Sequence, residues 1–413
     1  MEVSRENGYD VGRVRRDFPS LDRDVHEHPL IYLDNAATSQ TPEKVWLGIK
    51  DMYIHHKANV HRGVHTLSQE ATDCQEATRR AVRDYINAAS EREVIFTRGA
   101  TEAINLVASS FGEGFAEDGE IILTVMEHHA NIVPWQLLQR RRPDLKILVV
   151  DINDRGELDM EQYRSLFNEH TVMASFCHVS NVLGTINPVK EMIDIAHGHG
   201  VPTLVDGCQA APHLKLDMQE LDCDFYTFSA HKMYGPTGIG VLYGKEKWLE
   251  AMPPYQGGGE MIGHVSFSGT TFAELPFKFE AGTPDFVGIA AFKDAIDYIN
   301  EVGLDAIEAH EENLLRYTTE RLMAEIPGIR IFGTSPHKSA VISFLIGNEH
   351  PYDVGMLLDT QGIAVRTGHH CAQPLMERLG IPGTVRASFA AYNTREEANR
   401  FISVLKRIAA MLG

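Results

Sequence analysis

Three residues in this chain carry reactive side chains among neighbours that suit the chemistry. Asp206 closes the apolar run Leu204-Val205-Asp206. Lys232 ends Ser229-Ala230-His231-Lys232. Cys371 lies in Arg366-Thr367-Gly368-His369-His370-Cys371-Ala372. A buried acid can keep a proton on a heteroaromatic nitrogen. A lysine in a dry pocket can lose its proton and join a carbonyl as an imine. A cysteine is a good nucleophile as its thiolate, which nearby positive charge favours. Taken singly, each has a plainer reading: a turn-capping Asp, a surface Lys, a buried Cys. The neighbours weigh against that reading. Gln209 follows the acid, Ser229 and His231 flank the lysine, and Arg366, His369 and His370 surround the cysteine with potential positive charge.

These residues need a frame to bring them together. Short apolar runs alternate with helical patterns along the first two thirds of the chain. Strands are expected at 93–96, 120–125, 146–150, 172–177, 201–206, 225–228 and 238–243. Helices are expected from Pro42, over 71–86, from Ala100, over 159–167 and from Pro188. The 71–86 helix rests on Ala71, Cys74, Ala81, Val82, Tyr85 and Ile86 at close to 3.6 spacing. A βαβα order predicts a mostly parallel sheet with helices on both faces, whose ligands bind beyond the carboxyl ends of the strands. His128, Asn181, Asp206 and Lys232 all fall just past or at such ends. Thr97-Arg98-Gly99-Ala100-Thr101 runs from a strand straight into a helix, whose first amides attract anions.

The last third mixes strands in runs with helices, an α+β pattern. Helices are expected over 288–299, 304–326 and 354–360, and strands over 329–332, 340–345 and 363–366. A final helix opens on the capping box Thr394…Glu397, with the stripe Ala398, Phe401, Leu405, Ile408 and Leu412. We expect a large domain over 26–295, and a smaller one formed by 1–25 and 296–413 that carries the cysteine loop. Within the large domain, Gly257-Gly258-Gly259 reads as a flexible loop. Arg386 sits in an apolar strand and needs a partner there. A substrate carboxylate held by the guanidinium fork and a structural salt bridge serve equally.

A chain of 413 residues with 43% hydrophobic content can bury a large core in two domains. The net charge of −19 argues against a nucleic-acid or anionic-membrane partner. Five cysteines, without a C-x-x-C pair, suggest neither a disulfide framework nor a metal site. No apolar run approaches the ~18 residues a membrane span needs. With no apolar leader at residues 1–19, the expected place is the cytoplasm.

An acid for a pyridine nitrogen and a lysine for an imine together describe a site for pyridoxal 5'-phosphate. The stretch from Asp206 to Lys232 resembles the aminotransferase class V family of pyridoxal-phosphate enzymes. The motif around Cys371 is similar, within that family, to the Suf-type (group II) cysteine desulfurases. The likeness extends over essentially the whole chain. It implies the type I pyridoxal-phosphate fold, a homodimer, and conversion of L-cysteine to L-alanine with a persulfide on Cys371. It also implies delivery of the sulfur to a SufE- or SufU-like acceptor protein for iron–sulfur cluster assembly.

The resemblance assigns roles residue by residue. Ala100 and Thr101 would cradle the phosphate, with Gln209, Ser229 and His231 completing the cofactor site. Ala100 stands where some relatives carry a hydroxyl, which implies one phosphate hydrogen bond fewer. His128 would stack on the ring and handle a proton. Thr283 would reach the phosphate of the neighbouring subunit. Arg386, with Asn181, Arg366 and His61, would bind the substrate. The short spacing from Arg366 to Pro374 leaves no long mobile loop, and relatives of that kind rely on an acceptor that comes to the persulfide. A selenocysteine lyase, an aminotransferase and a non-enzymatic sulfur scaffold are the alternatives. The first would not need Cys371, the second would need a 2-oxo acid, and the third would have no use for Lys232.

Overall fold

A computed structural model describes residues 9–412. Seven strands form the central sheet. In spatial order they are Val94–Thr97, Gly240–Gly244, Phe225–Ser229, Thr203–Asp206, Thr171–Cys177, Glu120–Thr124 and Lys146–Val150. Gly240–Gly244 is antiparallel to both neighbours, and all the other pairings are parallel. The expected mostly parallel sheet is therefore present, with one reversed strand.

Successive strand residues face opposite sides of a pleated sheet, and here both sides are buried in every strand but the edge strand Lys146–Val150. Val94, Phe96, Ile122, Val205, Val241 and Tyr243 join one apolar cluster, together with Val82, Ile193 and Phe292 from three helices. Ile95, Ile121, Leu123, Leu204 and Leu242 join the other, with Ile104, Trp135 and Leu249. Burial on both faces explains why these strands read as unbroken apolar runs rather than alternating ones.

The second sheet is antiparallel throughout, in the order Ile329–Phe332, Val341–Ile346, Thr384–Ser388, Arg366–Gly368. Its apolar face packs on Leu314 and Leu322 of the helix Leu304–Glu325. It packs also on Phe401, Leu405 and Ile408 of the helix Arg395–Leu412. The capping box is formed: the Glu397 N–H donates to Thr394 Oγ1 at 3.1 Å, and the Thr394 N–H to Glu397 Oε2 at 2.9 Å. Thr394→Ala is expected to cost about 1 kcal/mol, read as a lowered midpoint in thermal unfolding.

One local reading differs from the structure, and one hairpin lies where no strand is expected. The strand expected over 363–366 breaks at Val365. Ile363–Ala364 pairs parallel with Ile31–Tyr32, while Arg366–Gly368 joins the second sheet. The Gly-rich stretch contains a hairpin, Ile262–Ser266 with Gly269–Phe272, nearly all of it exposed. With neither face buried, it has no alternation to read.

A division at residue 296 would cut the continuous helix Phe286–Val302, where Ile296 and Ile299 share the first cluster with Ala291 and Phe292. Val14, Phe18 and Leu21 join that same cluster, whereas Ile31 and Leu33 belong to the second domain's core. Residues 1–8 of the expected 1–25 segment lie outside the described residues. We propose that the division falls at Gly303, where that helix ends.

Candidate active site

A cavity of about 300 Å³ lies beyond the carboxyl ends of the parallel strands. Five of the seven strands deliver a residue to it. Val94–Thr97 leads to Ala100 and Thr101, Glu120–Thr124 to His128, and Thr171–Cys177 to Asn181. Asp206 ends its own strand, and Phe225–Ser229 leads through the turn Ala230–Lys232 to Lys232. The second domain contributes Arg366, Cys371 and Arg386. Gln209, Ser229 and His231 complete the expected lining. Two expected residues are not there. His61 packs on Phe277 at 4.8 Å between ring centres and hydrogen-bonds Gln75 at 3.2 Å. Thr283 lines a different cavity, with Arg98 and Glu102.

At one end, the helix Ala100–Leu106 starts against Ser229, whose Oγ accepts the Ala100 N–H at 2.9 Å. A Cβ on Gly240 would lie 2.4 Å from the Gly99 Cα. Glycine at 240 therefore lets this turn lie flat on its neighbouring strand. Asp206 is only 6% exposed and accepts the Cys208 N–H on Oδ1 at 3.0 Å. Gln209 donates to the Ala36 carbonyl at 2.6 Å and so ties the loop after Leu33 to the wall.

His128 and His231 are both held neutral, each at about 4. Burial is the main cause, and the nearby Lys232 charge adds to it. His128 Nδ1 accepts the Ala130 N–H at 3.1 Å. The proton of the neutral ring is therefore on Nε2. Glu127, fully buried behind it, is pushed up to about 7 by burial. It accepts from Asn131 at 2.7 Å, from the Cys177 N–H at 3.0 Å and from Thr124 at 2.5 Å.

Arg386 owes its position to the period of its strand. Val385 and Ala387 enter the second domain's core. Thr384, Arg386 and Ser388 face the other way, toward the cavity wall, where Thr384 meets His370 and Ser388 meets Ala36. Arg386 donates to Asp34 Oδ1 at 3.1 Å and to the Asn181 carbonyl at 2.9 Å, and its Nε has no partner. Asp34 Oδ2 accepts from Arg366 at 3.2 Å. One carboxylate thus serves two guanidinium groups, which leaves one positive charge uncompensated at the cavity. Asp34 escaped the sequence reading because its partners lie 332 and 352 residues away.

Cys371 is exposed at the cavity and is the one exposed cysteine among the five. Burial pushes the Cys177 thiol well up and Cys208 above its ordinary value, so neither wall cysteine is a ready nucleophile. His370 and Cys371 both adopt left-handed backbone, with φ of 52° and 58°. Such residues cost on the order of 1 kcal/mol each and persist where surroundings hold them. Asn181 Nδ2 does so by donating to the His370 carbonyl at 2.7 Å. One expected source of positive charge is corrected. His370 is buried, donates from Nε2 to Thr384, and is lowered to about 3 by burial. It braces the loop as a neutral ring. Arg386, a buried guanidinium, lines the same cavity as Cys371.

The aminotransferase class-V family model matches residues 31–401. A cysteine desulfurase of Dickeya dadantii (strain 3937) is 51% identical over 407 residues, 98% of either chain. Two solved structures superpose closely. The apo cysteine desulfurase from Thermococcus onnurineus NA1 gives a TM-score of 0.91 at 39% identity, covering 97% of this chain and 98% of that one. The cysteine desulfurase CsdA from Escherichia coli, in its S-sulfonic acid form, gives 0.90 at 37%, covering 98% and 99%. The matched family and these neighbours carry the type I pyridoxal-phosphate fold. The chain belongs to the aminotransferase class-V family.

Proposed function

We propose that the residues gathered around Lys232 and Cys371 perform cysteine desulfuration. The protein is a pyridoxal-phosphate-dependent cysteine desulfurase that converts L-cysteine to L-alanine and holds the released sulfur as a persulfide on Cys371. The observation that carries the residue assignment is one cavity holding an imine-forming amine, a buried acid and an exposed thiol.

The donor set fits the cofactor. The helix start at Ala100 and Thr101, with Ser229 and His231, suits a phosphate. The sparsely hydrogen-bonded Asp206 suits a ring nitrogen, His128 a ring face, and Lys232 an aldehyde carbon. When bound, the cofactor supplies an electron sink for the substrate's α-carbon.

The chain's own groups do the rest. Arg386 and Arg366, with one charge left over, bind the α-carboxylate, and Asn181 steadies that corner. Lys232, as general base, takes the α-proton. His128 carries a proton on Nε2 that it can give to the substrate and regain. The Cys371 thiolate attacks the substrate sulfur. A sulfur–sulfur bond forms, the carbon–sulfur bond breaks, and its electron pair stays with the carbon. That carbon takes a proton and becomes the methyl group of alanine.

Arg386→Lys keeps the charge and loses the fork. It is expected to raise KM for L-cysteine about tenfold, with a smaller change in kcat, read by alanine formation.

The remaining assignments complete this reading. The Cys371 loop is tethered on both sides, so an acceptor of the SufE or SufU kind comes to the persulfide. Thr283 and His61 reach a cavity from a second copy. A homodimer is supported by exposed Trp46, Leu47, Tyr53 and Ile54 on the helix Glu43–His55. Light scattering at twice the chain mass tests it. Among the described residues no helix is long and apolar enough to cross a membrane, and we assign the enzyme to the cytoplasm.

A further inference from the structure

His129 follows the ring histidine and is not among the residues lining the cavity. It opens the short turn His129–Asn131, half-buried. Its backbone N–H donates to the Cys371 carbonyl at 2.7 Å. Its ring Nε2 accepts the Gln373 N–H at 3.1 Å. Two bonds from one residue therefore bracket Cys371, one on its own carbonyl and one two residues further on. Gln373 opens the helix Gln373–Leu379, so its N–H has no partner within that helix. The ring supplies the partner.

Any residue at 129 would offer the backbone donor, but the ring acceptor is particular to histidine. Burial and then the neighbouring His369 lower this ring below its ordinary value, which keeps Nε2 free to accept. The turn is itself fixed. Asn131 Nδ2 donates to Glu127, while Asn131 Oδ1 accepts from Trp135 at 3.1 Å and from Ser175 at 2.6 Å. The amide cannot flip without losing all three bonds. The clasp on Cys371 therefore hangs from a rigid anchor, opposite the hold that Asn181 keeps on His370.

We propose that His129 is the positioning residue for the nucleophile: by accepting the Gln373 N–H, its neutral ring holds the left-handed His370–Cys371 pair so that the Cys371 sulfur faces the substrate's sulfur. The inference rests on the reading of Cys371 as the persulfide-forming residue. Without the acceptor, Gln373 turns its N–H to water. The pair relaxes toward negative φ, and the thiol swings outward.

The test uses holoenzyme carrying His129→Ala or His129→Gln. A glutamine carbonyl can accept the same N–H, and alanine offers nothing. Three quantities are measured: sulfur gain on Cys371 in a single turnover, KM for L-cysteine, and alkylation of Cys371 by iodoacetamide without substrate. In H129A, sulfur gain is expected to slow about tenfold, with KM unchanged and alkylation faster. H129Q is expected to stay within about threefold of the wild type, since its acceptor is retained. If H129A does not fold, H129N replaces it, because its shorter amide falls short of Gln373. An H129A enzyme with wild-type sulfur gain would overturn the proposal, as would H129Q slowed as much as H129A. A wild-type control that gains no sulfur on Cys371 would overturn the functional reading itself, and the control separates that failure from a failure of positioning.

Discussion

Lys232→Ala enzyme is expected to form no measurable alanine from L-cysteine and to lose the visible absorbance of covalently held cofactor. Lys232 closes the turn Ala230–Lys232 at the end of a central strand. The His231 carbonyl beside it accepts from the Ser39 N–H at 3.1 Å and from Thr38 Oγ1 at 3.0 Å. The backbone that carries the amine is therefore fixed to the loop after Leu33, and little else can take its place. Lys232 is given two tasks, holding the aldehyde carbon and moving the α-proton. Loss of a positioned general base alone costs about a thousandfold. Because the side chain is only half-buried, the variant is expected to fold and to retain cofactor by its phosphate and ring contacts. Retained covalent absorbance, or alanine formation at a tenth of the native rate or more, would remove Lys232 from this role.

Cys371→Ala separates the thiol's task from everything before it. The exposed thiol makes no contribution to either apolar core, so fold and cofactor absorbance are expected to be unchanged. Alanine formation from L-cysteine is expected to fall roughly a hundredfold or more, because the carbon–sulfur bond then lacks its nucleophile. An acceptor protein is expected to receive no sulfur. Selenocysteine is the informative second substrate, since selenide leaves without a thiolate's help. A variant that still releases alanine from selenocysteine shows an intact cavity. Equal and undiminished turnover of both substrates would point to a selenocysteine lyase instead.

Much of the site was legible because parallel strands deliver their ends to one place. Reading where each apolar run stops placed Ala100, His128, Asn181, Asp206 and Lys232 at strand ends, the family resemblance gave them their roles, and the structure does bring them to one cavity. The residues from the second domain needed a motif, since nothing in their spacing ties Cys371 to Lys232. Arg386 shows how a period can be read and still leave its purpose open. Its strand alternates between core and cavity, and the salt-bridge reading has a concrete counterpart in Asp34. Illegible features share one cause: their reasons lie far along the chain or outside it. Asp34 meets its arginines across the whole sequence. The strand at 363–366 splits because its halves have different neighbours. The exposed hairpin at 262–272 buries neither face, and His61 and Thr283 have no place in their own chain's cavity.

One measurement bears most directly on the pairing of amine, acid and thiol in a single pocket. The holoenzyme is exposed to L-cysteine, digested without reductant and analysed by mass spectrometry. The peptide containing Cys371 should gain one sulfur atom in step with alanine, while those containing Cys177 and Cys208 stay unchanged. Alanine appearing with no sulfur on Cys371, or with the sulfur on another cysteine, would contradict the account.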